Sequence, residues 1–143
     1  MNMKLLSATA LMLAFAGSAS AADLLLTQGL AKRGDKAMVG IDVVSDGDVR
    51  GFDFVIPVAK GMKVDTSRCL SALPKGFQGS CTFNGTEVAA LVFSWEPQTL
   101  PKGVHTIGTI SFSGRTLAKS SLAAKFNAAD TNAQPITGKV IVD

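Results

Sequence analysis

The chain has 143 residues, 14 basic and 11 acidic side chains, 47% apolar residues and one histidine. That is enough chain for a single buried core. Lys32, Arg33, Lys36, Lys102, Lys119 and Lys125 are scattered, not gathered into the basic stripe a nucleic-acid partner needs, so no nucleic-acid binding is expected.

The first element in chain order is a leader. Residues 1–21, MNMKLLSATALMLAFAGSASA, carry one basic residue, Lys4, then an apolar run from Leu5 to Ala16, and end Ala19-Ser20-Ala21. A charged start, an apolar centre and an A-x-A site define a secretory signal peptide. The run is shorter than the roughly 18 apolar residues of a membrane span. Cleavage after Ala21 is therefore expected to leave residues 22–143 as one secreted or periplasmic domain with no membrane span.

The remainder alternates with period two between turn residues and has almost no helical period, the pattern of half-buried strands. A first strand is expected at Leu24 to Thr27. Ala37, Val39, Ile41 and Val43 form one face of the next, and Phe52, Phe54, Ile56 and Val58 one face of a third. Between them Ser45-Asp46-Gly47-Asp48 reads as a tight hairpin turn, which would make the two strands antiparallel neighbours. A short strand follows around Met62 to Asp65.

Asn84-Gly85 marks a second hairpin, joining a strand that begins near Gly79 to one running from Glu87 to Trp95. The longer strand, EVAALVFSW, is apolar on both faces, as strands that are central or covered on both sides are. Pro97, Pro101 and Gly103 make the next stretch a loop. In VHTIGTISF, alternation places Val104, Ile110 and Phe112 on one face and His105 on the other. Leu122, Ala124 and Phe126 supply another strand, and Ile136, Gly138, Val140 and Val142 the last. The expected fold is all-β, a two-sheet sandwich of about nine short strands.

Cys69 and Cys81, the only cysteines, fit neither a redox C-x-x-C nor a zinc knuckle. Two cysteines and one histidine cannot close a four-ligand zinc site without a carboxylate. In an exported chain they are expected to form one disulfide, stapling LSALPKGFQGS, with Phe77 either tucked inward or offered at the loop tip.

No catalytic residue is expected. Ser94, Ser111 and Ser113 sit in or beside strand patterns with no G-x-S-x-G motif, and His105 falls in a strand. No cofactor is expected either. Calcium is the ion the residues leave open: Asp46 and Asp48 flank a glycine, and Asp130 and Asn132 share a loop, though neither stretch has the late bidentate Glu of a twelve-residue calcium loop. A glycan ligand would need exposed aromatic faces. With tyrosine absent and Phe52, Phe54, Phe112 and Phe126 in the expected core, Trp95 and Phe77 remain as contacts.

The order of motifs resembles the cohesin domain. RGDKAMVGIDVVSDGDVRGFDFVIPV is followed by EVAALVFSW, KGVHTIGTISF and NAAD. These correspond to an early Gly-Asp before an alternating strand, a G-x-D-F-type third strand, a glycine before a T-I-x-F strand and a late Ala-Asp. The resemblance runs over nearly the whole chain after residue 21. It implies a nine-stranded jelly-roll sandwich, related to carbohydrate-binding modules, that binds a protein through one sheet face, as cohesins bind dockerins.

By resemblance, Asp53 is the acidic, partner-facing position of the D-F-type strand. Gly51 stands two places earlier without a side chain, and PVAKG replaces the Tyr-Asp-Pro that commonly follows. Alternation independently turns Asp53 away from the Phe52/Phe54 face. The expected function is that of a secreted non-catalytic module binding a protein partner over the face with Asp53, Val55 and Lys125. The alternative is a carbohydrate-binding module with a glycan ligand.

Overall fold

The computed structural model describes residues 21–29, 32–33, 36–114 and 122–143. Apart from Ala21, the expected signal peptide lies outside the described residues. The strands are β1 (Ala22–Thr27), β2 (Lys32–Arg33), β3 (Lys36–Ser45), β4 (Gly51–Pro57), β5 (Lys63–Asp65), β6 (Phe77–Phe83), β7 (Glu87–Ser94), β8 (Gly103–Ser113), β9 (Lys125–Ala129), β10 (Pro135–Ile136) and β11 (Val140–Val142). No helix among the described residues is long and apolar enough to cross a membrane.

The strands form two sheets. The first is ordered β11-β1-β3-β8-β5, with β2 added against β3, and the second β10-β9-β4-β7-β6. All pairings between these strands are antiparallel except β11 with β1, which is parallel. Period-two alternation gives each sheet one apolar face. Leu24, Leu26, Val39, Ile41, Val43, Ile110 and Phe112 from the first join Phe52, Phe54, Ile56, Val88 and Val92 from the second in one buried cluster. Phe54 and Phe112 are its largest fully buried side chains. Each contributes roughly 1.5–3 kcal/mol by leaving water. The expected all-β, two-sheet sandwich is the architecture present, with eleven strands among the described residues, four of them only two or three residues long.

Three local expectations are corrected. β3 and β4 are not hairpin partners: they lie in different sheets, and residues 45–48 carry the chain across. The buried Ser45 hydroxyl accepts from Gly47 N–H (3.0 Å) and donates to the Leu100 carbonyl (2.9 Å). Val49 pairs with Leu100 just beyond. The turn is therefore fixed by the 96–103 loop and not by a neighbouring strand.

In β8 the register against β3 shifts between Thr106 and Gly108, a β-bulge with Ile107 as the extra residue. The bulge reverses the side-chain parity. Ile107, Ile110 and Phe112 are buried, but Val104 is 63% exposed, so Val104 does not share their face. His105 pairs with the inward-facing Val43 and so lies on the Phe112 side, with a ring nitrogen 2.6 Å from the Pro101 carbonyl. The closing segment also divides. Ile136 pairs with Ala128 in the second sheet, while Val140–Val142 pairs with β1 in the first.

Cys69 and Cys81 are joined, with Cα atoms 6.3 Å apart. The segment holding Cys69 runs along β8 at the bulge, where Thr109 N–H donates to the Arg68 carbonyl and Ala72 N–H to the Ile107 carbonyl, both at 2.9 Å. Gly108 permits this approach, since a Cβ there would run into the Arg68 and Cys69 carbonyl oxygens. Phe77 takes the inward option and is 8% exposed.

Candidate functional site: the outer face of the second sheet

Strand register arranges the outward side chains of β9, β4, β7 and β6 in rows. Lys125, Val55, Ala89 and Thr82 form one, Asn127, Asp53, Leu91 and Ser80 the next, and Ala129, Gly51, Phe93 and Gln78 the third. The three residues expected on a partner-facing surface, Asp53, Val55 and Lys125, are thus brought together, on two paired strands. Their separation in sequence is bridged because Lys125 lies directly opposite Val55.

The middle row carries the most informative geometry. Asn127 Nδ2 donates to Asp53 Oδ1 at 3.0 Å, which fixes the carboxylate while leaving its second oxygen without a partner among the described residues. Beside it Leu91 is 51% exposed. A half-exposed leucine in the middle of a regular sheet, next to an oriented carboxylate, is an uncovered apolar centre with a polar surround. β7 was expected to be central or covered on both faces. It is an interior strand, between β4 and β6, but only Val88, Ala90, Val92 and Ser94 face the core.

The next row forms a hollow. Because Gly51 lacks a side chain, a groove of about 300 Å³ opens over it, lined by Arg50, Phe93, Ser94, Ala129, Asp130 and Ala133. A second hollow of about 220 Å³ shares Gly51, Phe93 and Ala129 and reaches Asp53, Leu91 and Asn127. Trp95, 72% exposed, makes a T-shaped contact with Phe93, ring centres 5.1 Å apart. Of the two expected glycan contacts, Trp95 is available and Phe77 lies in the core, so the structure does not bring them together.

Leu91, Phe93 and Asn127 were not singled out from sequence. The signal was present in the stretch EVAALVFSW, where Ala89, Leu91, Phe93 and Trp95 alternate as apolar residues. Choosing the covered face needed the strand order.

The remaining residues considered for chemistry are occupied locally. The buried Ser94 hydroxyl donates to the Glu96 carbonyl at 2.6 Å, and His105 belongs to the other sheet. Asp46 accepts from Asp48 N–H (3.3 Å) and Ala21 N–H (2.6 Å). Asp130 accepts from Asn132 and Gln134 N–H at 2.8 and 2.9 Å. Both acidic loops use their carboxylates to close turns. Among the described residues no three His, Cys, Asp or Glu side chains converge as a metal site.

Two sheets in this order form a β-sandwich that is similar to solved cohesin modules. A non-cellulosomal cohesin from the hyperthermophilic archaeon Archaeoglobus fulgidus is similar with a TM-score of 0.61 and 11% identity, over 84% of this chain and 86% of that one. The type II cohesin A11 of Bacteroides cellulosolvens gives a TM-score of 0.58 and 12% identity, over 83% and 95%. A type I cohesin–dockerin complex from Clostridium thermocellum gives 0.52 and 16%, over 83% and 88%. At these identities the likeness establishes the fold. No family model matches the sequence, and no curated protein matches it.

Proposed function

We propose that the chain is an exported, non-catalytic module that binds a protein partner over the outer face of β9, β4, β7 and β6. Leu91 is the anchor, with Asp53, Val55 and Lys125 around it. The observation that carries this reading is the half-exposed Leu91 beside the carboxylate that Asn127 orients. Protein interfaces concentrate their energy in a few apolar anchors that become fully buried, ringed by polar groups that exclude water. The fold is compatible with such use, since similar structures include cohesins in complex with dockerins. The partner is a protein whose contact surface offers an apolar pocket for Leu91 and a donor for the free Asp53 oxygen.

The test is capture by the exported chain from secreted and envelope fractions, with bound proteins identified by mass spectrometry. Leu91→Asp, Val55→Asp and Asp53→Ala should each lose the same partner. For Leu91→Asp the loss should be about 30-fold or more in affinity, the 2 kcal/mol scale of an interface anchor. Equal capture by all three variants would dismiss this face. Export rests on the leader, and the amino terminus of the exported protein should be Ala22.

A second reading is favoured by one observation, the exposed Trp95 beside a groove lined by Arg50 and Asp130. A sugar ring resting on the indole with hydroxyls toward those charges would make the chain a carbohydrate-binding module. Trp95→Ala should then abolish retention on a polysaccharide. A glycan array on which the wild type binds nothing would remove this reading.

A further inference from the structure

Among the described residues the two sheets have five outer strands, and four of them are defended against further pairing. β2, paired only with β3, is two residues long and both are basic. β10 is two residues long and begins with Pro135; β5 is three residues and carries Lys63 and Asp65; β11 is three residues, between Lys139 and Asp143. Short strands, proline and charge are the means by which folded proteins keep an edge from recruiting another strand. β6 has none of them. It is seven residues long, FQGSCTF, without charge or proline, and Gln78, Gly79, Ser80 and Thr82 are exposed.

The polar backbone groups of this edge are turned outward. Asn84 N–H donates to the Glu87 carbonyl at the hairpin. By antiparallel alternation Gln78, Ser80 and Thr82 then exchange bonds with β7, while Gly79, Cys81 and Phe83 direct N–H and C=O away from it. Phe77 N–H is used by the Pro74 carbonyl. Among the described residues, no backbone bond reaches the outward groups of Gly79, Cys81 or Phe83.

We propose that this edge pairs with the same edge of a second copy, antiparallel, about a two-fold axis at Ser80. A two-fold interface must be self-complementary, residue i meeting j and j meeting i. The segment has that property. Phe77 falls opposite Phe83, Gln78 opposite Thr82, Gly79 opposite Cys81, and Ser80 opposite itself. On the outer face Gln78 meets Thr82 and Ser80 meets Ser80, polar against polar, while Phe77 and Cys81 stay within their own copy, one buried and the other disulfide-bonded.

The pairing would complete about six ladder hydrogen bonds and merge two five-stranded sheets into one continuous sheet. One seven-residue strand buries less than the roughly 1,200–2,000 Å² of a stable interface, so the dimer is weak and concentration-dependent. It leaves Leu91 uncovered in both copies and sets their outer faces side by side, which would give bivalent binding of a repeated partner. The pairing itself does not depend on the protein-binding reading.

Sedimentation of the exported chain from about 1 µM to about 1 mM, the range of weak to moderate affinities, should show a monomer passing to a dimer. Ser80→Lys puts two lysines directly opposite one another, on Cα atoms about 4.5 Å apart across the axis, where like charges oppose pairing. It should stay monomeric throughout while its circular dichroism and melting temperature match the wild type, because Ser80 is exposed. Ser80→Cys should oxidise to a covalent dimer whose digest contains a peptide joined at position 80, and Gln78→Cys should not. A wild type that is monomeric at every concentration, a dimer indifferent to Ser80→Lys, or equal cross-linking by the two cysteine variants would each overturn the proposal.

Discussion

Opening the Cys69–Cys81 bond should be the most informative perturbation of this fold. The cysteines are 12 positions apart, and the chain-entropy relation for a loop of that length gives about 3 kcal/mol. Cys69 is wholly buried, so replacing both cysteines by alanine also removes packed sulfur, at about 1 kcal/mol. Unfolding a chain of about 120 residues has an entropy near 0.25 kcal/mol/K at the midpoint. The reduced wild type should therefore melt about 12 °C below the oxidised protein, and Cys69→Ala/Cys81→Ala about 16 °C below it. Calorimetry on the three samples, with urea titration as a second measure, separates the bond from the packing. A reduced wild type within about 4 °C of the oxidised protein, roughly 1 kcal/mol at this size, would refute the claim that the bond stabilises chiefly by restricting the unfolded chain.

Gly108→Ala should cost at least the 1–3 kcal/mol of an overpacked site in urea unfolding, because backbone oxygens from Arg68 and Cys69 occupy the space its Cβ needs. Asn84→Ala should cost about 1–2 kcal/mol in the same assay. Its side-chain oxygen accepts from Thr86 N–H, the Thr86 hydroxyl and Glu87 N–H, all at 2.9 Å, and the variant strips all three from the β6–β7 hairpin. Asp65 should titrate below the ordinary aspartate range, since the Ser67 backbone N–H, and then its hydroxyl, hold the carboxylate ionised. With its folded pKa depressed, its contribution to stability is present above the unfolded pKa and fades as pH falls through the folded one. NMR titration of the Asp65 carboxyl carbon checks the direction, and Ser67→Ala should move its midpoint upward.

Much of the architecture was legible in the sequence, because alternation is a local property. Val39, Ile41 and Val43, and Phe52, Phe54 and Ile56, occupy the buried positions their spacing implies. The same parity turns Asp53 outward, opposite Asn127. Asn84-Gly85 makes the hairpin its turn chemistry calls for. What local pattern does not carry is partner choice. Ser45-Asp46-Gly47-Asp48 has equally good turn residues, yet its outcome is decided by Leu100, 55 positions away, which accepts the Ser45 hydroxyl bond. The exposure of Leu91 was hidden for the same reason: nothing in EVAALVFSW says which of two apolar faces meets the other sheet.

The bulge at Ile107, the bare Gly108 and the disulfide form one device, and this changes what the disulfide does. Read as a loop between two cysteines, residues 69–81 look like a floppy connection held shut. In the fold, Cys69 belongs to a segment hydrogen-bonded to β8 at the bulge and just past it, from Ala72 to Ile107 and from Thr109 to Arg68. Cys81 belongs to β6, the outermost strand of the opposite sheet. The bond therefore ties the two sheets together along one open side of the sandwich, through a segment that can approach β8 only because position 108 has no side chain. The two changes share this clamp, so they should not be additive. In a double-mutant cycle, Gly108→Ala should cost less once the cysteines are gone, because Arg68 and Cys69 can then move aside. Equal cost in both backgrounds would mean that the approach at Gly108 and the disulfide act independently.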